Sequence, residues 1–207
     1  MEGGIVNKRR YEGEQTKKDI ASKAKILFSQ KGYVATSMAD ICATTGRSIG
    51  NIYYHFKSKE DLFVYIGEQA FAEWWEQWEE ISALYKSATE KLYAFADFFV
   101  DNNTEHSLNK AGEEFINRVG ADSEFGKRMF TLYNSIVENF EKLVLEGIDE
   151  GEFKNENPKE LALIILSYHL GLGGSYQFND KEAMKSLCRK ATTCFLEGIC
   201  IRNENKT

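Results

Sequence analysis

Little in this sequence can break a chain. Its 207 residues hold one proline, Pro158, and no long tract of Ser, Gly or Pro, which leaves little room for a flexible linker, and the stretches between glycines read as helix formers. Cysteine is also scarce. Cys42, Cys188, Cys194 and Cys200 show no C-x-x-C spacing, and the last three recur every six residues, a step that walks them around a helix instead of converging them on one ion. Reduced, packed thiols are expected, and a metal site is not. Long hydrophobic runs are missing too. The apolar stretch Leu161 to Leu172 is interrupted by Ser167, Tyr168, His169 and Gly171, well short of the roughly 20 residues that cross a bilayer. Met1 to Arg10 has no apolar segment of the signal-peptide kind. A cytoplasmic protein is expected.

What is present is ordinary globular material, 43% hydrophobic and 28% charged, with a lopsided charge. Residues 1–67 carry 11 Lys and Arg against 7 Asp and Glu, a net of +4, and residues 68–207 carry 15 against 25, a net of −10. A basic N-terminal third points to nucleic-acid contact at that end.

Helical periodicity and caps place the elements. Ile20, Ala24, Leu27 and Phe28 recur at helical spacing from Thr16 to Lys31, and Gly32 stops that helix. Ser37 caps a second, two-turn helix with Met38, Ile41 and Cys42 on its inner face, ending at Gly46. Ser48 caps a third to about His55. Ser58-Lys59-Glu60-Asp61 has the form of a capping box and opens a long fourth helix to about Leu84. Two short helices flanking a glycine turn of three or four residues make the helix-turn-helix arrangement, whose second helix enters the DNA major groove.

The stretches "GYVATSMADI" and "SIGNIYYHFKSKEDLF" resemble the N-terminal domain of the TetR family of bacterial transcriptional regulators. The match spans about Ala24 to Phe63 and rests on Gly32, Thr36, Ile41, Gly46, Ser48, Gly50, Tyr53, His55, Phe56, Lys59 and Leu62. It departs from the family pattern at the polar Cys42-Ala43-Thr44-Thr45 and at Arg47. The resemblance implies an all-α fold of about nine helices: a flexible basic arm at 1–14, a three-helix helix-turn-helix DNA-binding domain at 15–62, and a helical-bundle ligand-binding and dimerisation domain at 63–207. It implies a dimeric repressor on a palindromic operator, released by a small hydrophobic effector, with no cofactor. The alternative is a structural or protein-interaction helical protein.

Within the third helix, Ile49, Ile52, Tyr53 and Phe56 fit the i, i+3, i+4, i+7 template, so periodicity alone would bury Tyr53. The resemblance turns Tyr53 to DNA and leaves Ile52 and Phe56 in the core, and between these two readings the sequence does not choose. Tyr53, Tyr54 and His55 are expected on phosphates, Gly50 keeps the helix face low for close approach, and Lys59 adds charge at a helix N-terminus. Ser37, Met38, Arg47, Ser48, Ile49 and Asn51 are the candidates for base edges, with Arg47 the expected reader of a guanine. Lys8-Arg9-Arg10 reads as a solvated tail that adds salt-dependent affinity.

The acidic remainder carries two further expectations. Helices over about 159–176 and 180–200 are apolar nearly all round and are expected to pair in a homodimer. "FAEWWEQWEE" puts Trp74 and Trp78 one turn apart on one face, and with Tyr93, Phe98, Phe115, Glu114 and Tyr133 they form the candidate effector site. Aromatic faces rimmed by carboxylates suit a lipophilic cation. The chain also resembles the multidrug-efflux repressor branch of the family, yet Ala70 and Phe71 stand where that branch carries adjacent acids. His106 and His169 are isolated and read as surface and satisfied interface groups. No H-e-x-x-H, P-loop or nucleophile–base motif is present, so an enzyme is not expected.

Overall fold

The structure, a computed structural model, describes residues 2–102, 106–120, 122–177 and 179–200, without the side chains of residues 2–10, 106, 107, 109, 176 and 177. Nine α-helices carry these residues: α1 (Glu2–Lys31), α2 (Met38–Thr45), α3 (Ile49–His55), α4 (Lys59–Ser82), α5 (Ala88–Asn102), α6 (His106–Val119), α7 (Glu124–Asp149), α8 (Pro158–Gly173) and α9 (Lys181–Ile199). A short 3₁₀ turn, Gly174–Gln177, follows α8. One isolated bridge joins Phe153 to Cys200.

The helix ends follow the local chemistry. Ser37 accepts from the Asp40 N–H while the Asp40 carboxylate takes the Ser37 N–H, a complete capping box, and Gly46 closes α2 in the left-handed region at φ 67°. Ser48 accepts from the Asn51 N–H to start α3. Asn157 caps α8 with Pro158 at its first position, where the missing N–H costs nothing.

Two expectations of extent are corrected. The flexible arm over 1–14 is helical from Glu2, because Thr16 to Lys31 offers a formed helix onto which a charged segment without proline adds residues at little cost; the side chains of Lys8, Arg9 and Arg10 lie outside the described residues. The helix expected over 159–176 ends at Gly173 and tightens into the 3₁₀ turn, as three glycines in four residues, Gly171, Gly173 and Gly174, weaken the α-helix there.

The chain forms two compact units, which do not divide at residue 62. One comprises Met1–Ala72 with Glu105–Phe130, the other Glu73–Thr104 with Thr131–Thr207. The first has a core of Ile20, Phe28, Tyr33, Ile41, Ile52, Phe56 and Phe63, which Ala111 and Phe115 of α6 complete. Phe115 stacks edge-on to Tyr33 at 5.0 Å and lies 4.9 Å from the Phe63 ring, so α6 belongs with the helix-turn-helix.

The second unit has its core in Trp78, Leu92, Phe95, Phe98, Phe140, Val144, Phe153, Ile165 and Leu196. At its edge the chain after α7 folds back: Gly147 accepts from the Glu152 and Phe153 N–H groups, and the buried Phe153 ring covers it. A Cβ on Gly147 would lie 2.3 Å from two Phe153 ring atoms. Gly147→Ala is therefore expected to destabilise the second unit by about 2 kcal/mol through overpacking, seen as a lower urea midpoint at unchanged m-value.

Candidate functional site

The helix-turn-helix holds α3 by Ile52 within the helix and by Phe56 at its C-cap. Ile52 and Phe56 are buried, whereas Ile49, Tyr53 and Tyr54 are 51%, 48% and 82% exposed. Neither tyrosine turns inward, which decides the question that periodicity left open. The Tyr54 ring meets His55 edge-on at 5.0 Å. Burial and the neighbouring Lys17 hold the His55 imidazole below its usual pKa. A Cβ at Gly50 would meet nothing within 4 Å among the described residues. Packing inside the chain thus does not require glycine there, although another residue would favour the helix by up to about 1 kcal/mol. A face kept low without an internal reason fits an external surface.

The other candidates are divided between exposed groups and groups already engaged. Ser37 and Ser48 spend their oxygens on caps, and Met38 packs on the core. Arg47 is exposed, its Nη2 3.5 Å from Asp19 Oδ2. Asn51 has its Oδ1 buried, without a hydrogen-bond partner among the described residues. Lys59, expected as a phosphate charge, donates from Nζ to the Tyr33 and Thr36 carbonyls at 2.9 and 2.8 Å, over the Tyr33 ring at 4.1 Å. Two of its three N–H donors are therefore taken, and burial lowers its pKa. It ties the turn before α2 to the start of α4.

Sequence reasoning missed the polar ties inside this unit. Arg128 donates from Nε and Nη2 to both Glu68 oxygens at 3.1 and 2.8 Å and from Nη1 to Asp61 at 2.9 Å, a forked arrangement of the stronger kind. The other Asp61 oxygen accepts from the Lys57 N–H, so the exit of α3 is held through α4 to the first turns of α7. Glu114 accepts from the Val34 N–H at 3.0 Å, and its carboxylate lies where a Cβ on Gly32 would be, 2.8 Å away. Only spatial proximity reveals such pairs; no spacing along the chain encodes them.

The expected effector residues fall into two groups. In the second unit Trp74 packs on Phe98 at 5.0 Å and Phe95 at 5.6 Å, and Trp78 on Phe95 at 4.9 Å. Tyr93 and Tyr133 border the same cluster, Tyr93 with its hydroxyl 3.0 Å from that of Thr193. Phe115 and Glu114 are corrected: they belong to the first unit, Phe115 in its core and Glu114 on the turn after α1. A cleft of about 210 Å³ opens beside Trp75 and Trp78, with Glu79, Asn139, Lys142 and Glu146 among its walls. The Trp75 Nε1–H donates to Glu79 at 2.9 Å, and Lys91 pairs with Glu146.

His169 is the second correction. Expected as a satisfied interface group, its side chain lies instead in the second core, 1% exposed, with Nδ1 hydrogen-bonded and Nε2 without a partner among the described residues. The side chain of His106 lies outside the described residues. The cysteines are free, and among the described residues no cluster of His, Cys, Asp and Glu could hold a metal. No helix among them is long and apolar enough to cross a membrane.

Comparison with known proteins bears on both units. Residues 20–66 match the family described as bacterial regulatory proteins, tetR family, and residues 70–201 match the family described as QacR-like protein, C-terminal region. The HTH-type transcriptional regulator QacR of Staphylococcus aureus is 29% identical over 184 residues, 88% of this chain and 97% of that protein. IcaR of the same species, a negative transcriptional regulator of a biofilm operon, is 24% identical over 177 residues, 82% of this chain and 91% of its own length. The crystal structure of the Bacillus subtilis regulator FadR with stearoyl-CoA shares the fold at a TM-score of 0.75 and 20% identity, covering 87% of this chain and 98% of that one.

Proposed function

The chain belongs to the TetR family of bacterial transcriptional regulators, and from that premise we propose that it is a cytoplasmic repressor, working as a homodimer on a palindromic operator and released by a small lipophilic effector. Two α3 helices enter successive major grooves, roughly 34–36 Å apart. Tyr53, Tyr54 and His55 hold the phosphates, and Arg47, Ile49 and Asn51 meet base edges. Dimerisation uses α8 and α9, whose outer faces leave Ile164, Leu170 and Leu187 exposed. The effector is received in the aromatic cluster of Trp74, Trp78 and Phe98, on the half of α4 that belongs to the second unit. It releases DNA only in so far as it binds the released state more tightly.

The observation that carries this reading is the α3 face: three large exposed side chains flanking a glycine that packing inside the chain does not require. Footprinting on the DNA flanking its own gene is expected to show a protected palindrome, lost steeply as salt rises. Tyr54→Ala is expected to weaken operator binding about tenfold, by the loss of one phosphate hydrogen bond, with its urea midpoint unmoved. No protection at low salt would sink the assignment.

A further inference from the structure

One polar atom in the second unit is out of keeping with its surroundings. The His169 ring is enclosed by Phe95 at 4.9 Å, Phe99 at 5.0 Å and Tyr168 at 4.3 Å. Its Nδ1 lies 2.9 Å from the Ile165 carbonyl oxygen. A carbonyl can only accept, so Nδ1 carries the hydrogen, and Nε2 of the neutral ring is left as a bare acceptor. Burial keeps the ring neutral, its pKa lowered to about 4. The hydroxyl of the adjoining Tyr168 has other work: it shares a hydrogen bond of 3.2 Å with Thr192, which donates to the Cys188 carbonyl. A phenylalanine would fill this space without an unpaired nitrogen, and an unmade buried hydrogen bond is costly to keep.

Phe95 links this imidazole to the tryptophans, since its ring also packs against Trp74 and Trp78. We infer that His169 Nε2 is the polar anchor of the effector site, accepting a hydrogen bond from an O–H or N–H on an otherwise apolar, aromatic ligand. The inference rests on the effector reading above and narrows it. The rings around His169 are uncharged, so the ligand class is a neutral donor such as a phenol, and a quaternary ammonium, which has no hydrogen to give, gains nothing from this nitrogen. A site built to pair with a donor rejects the analogue that lacks one more strongly than an apolar pocket rejects a change of size.

The test uses the full chain and two probes of nearly the same shape, 4-phenylphenol and its methyl ether, 4-methoxybiphenyl, titrated by calorimetry. The phenol is expected to bind at least about tenfold more tightly. In His169→Phe the preference should fall to about one. Should that variant fail to fold, His169→Leu and the ¹⁵N resonance of Nε2 in the wild-type protein serve instead. The resonance is expected to leave its bare-acceptor position with the phenol and not with the ether. Equal binding of the two probes, a preference that survives His169→Phe, or no phenol binding up to its solubility overturns the inference. The effector reading is judged separately, by whether any of a panel of neutral and cationic lipophiles releases the operator.

Discussion

Phe115→Ala is expected to cost about 3–5 kcal/mol of stability in the first unit. The ring is fully buried and touches Tyr33 and Phe63, which themselves pack on Phe28. Removing it opens a cavity where α6 meets the core of the helix-turn-helix. The same turn of α6 carries Glu114, whose carboxylate holds the Val34 N–H just past Gly32, a residue at φ 80°. Loosening α6 therefore loosens the entry to α2, and operator affinity should fall with stability although no DNA-facing group has been touched. Urea denaturation checks the first claim and operator binding the second. A cost below about 1 kcal/mol would show that the ring is not a core residue, and would return Phe115 to the effector-lining role that the aromatic pattern suggests.

That pattern shows where sequence reasoning reaches and where it stops. Caps are local chemistry, written within four residues, so Ser37, Gly46, Ser48 and the Ser58 cap could be read directly, and with them the two short helices of the DNA-binding unit; the reciprocal half of the box expected at Ser58 is not made, because the Asp61 carboxylate takes the Lys57 N–H instead. An amphipathic stripe is less informative: it says that a face is buried, not against what. Phe98 and Phe115 look alike in the sequence, yet they stand in different cores because α6 packs on α1 and α5 packs on α9. The start of α1 was illegible for another reason. Residues 2–15 are rich in charge without an apolar stripe, and such a sequence leaves no period to detect.

On α3 the failure of periodicity is itself informative. The four positions Ile49, Ile52, Tyr53 and Phe56 satisfy the helical template, but only Ile52 and Phe56 are buried. A two-turn helix lying across a three-helix scaffold contacts it along a narrow stripe, and the side chains at the margins of that stripe are free for another surface. The family resemblance anticipated the outcome for Tyr53, and simple amphipathicity did not. The polar ties of Arg128 and Lys59 were beyond either, since each joins residues more than 20 positions apart.

Acidification should expose His169 in the difference between the wild type and a variant that lacks the imidazole. Its pKa falls from 6.5 to about 4 on folding, chiefly through burial, with the Ile165 hydrogen bond acting in the opposite sense. The rings packed on it are those of Phe95, Phe99 and Tyr168; the phenol of Tyr168, pushed up to about 12, stays neutral throughout. Above pH 6.5 both folded and unfolded chains hold a neutral imidazole, and the group makes stability no steeper with pH. Below it the unfolded chain takes up a proton that the folded core refuses, so stability falls as the pH drops towards 4, by about 3 kcal/mol in all. Carboxylates titrate over the same range, but they are shared by wild type and His169→Phe. Between pH 7.5 and 4.5 the wild type is therefore expected to lose about 2.5 kcal/mol more than the variant, read as the difference in urea unfolding free energies at the two pH values. A donor seated on Nε2 competes with that proton, so phenol affinity should weaken over the acidic range in step with the titration of His169 in the folded protein. Parallel losses in wild type and variant would mean that the imidazole reaches water in the folded state, and would remove the physical basis for treating its nitrogen as a reserved acceptor.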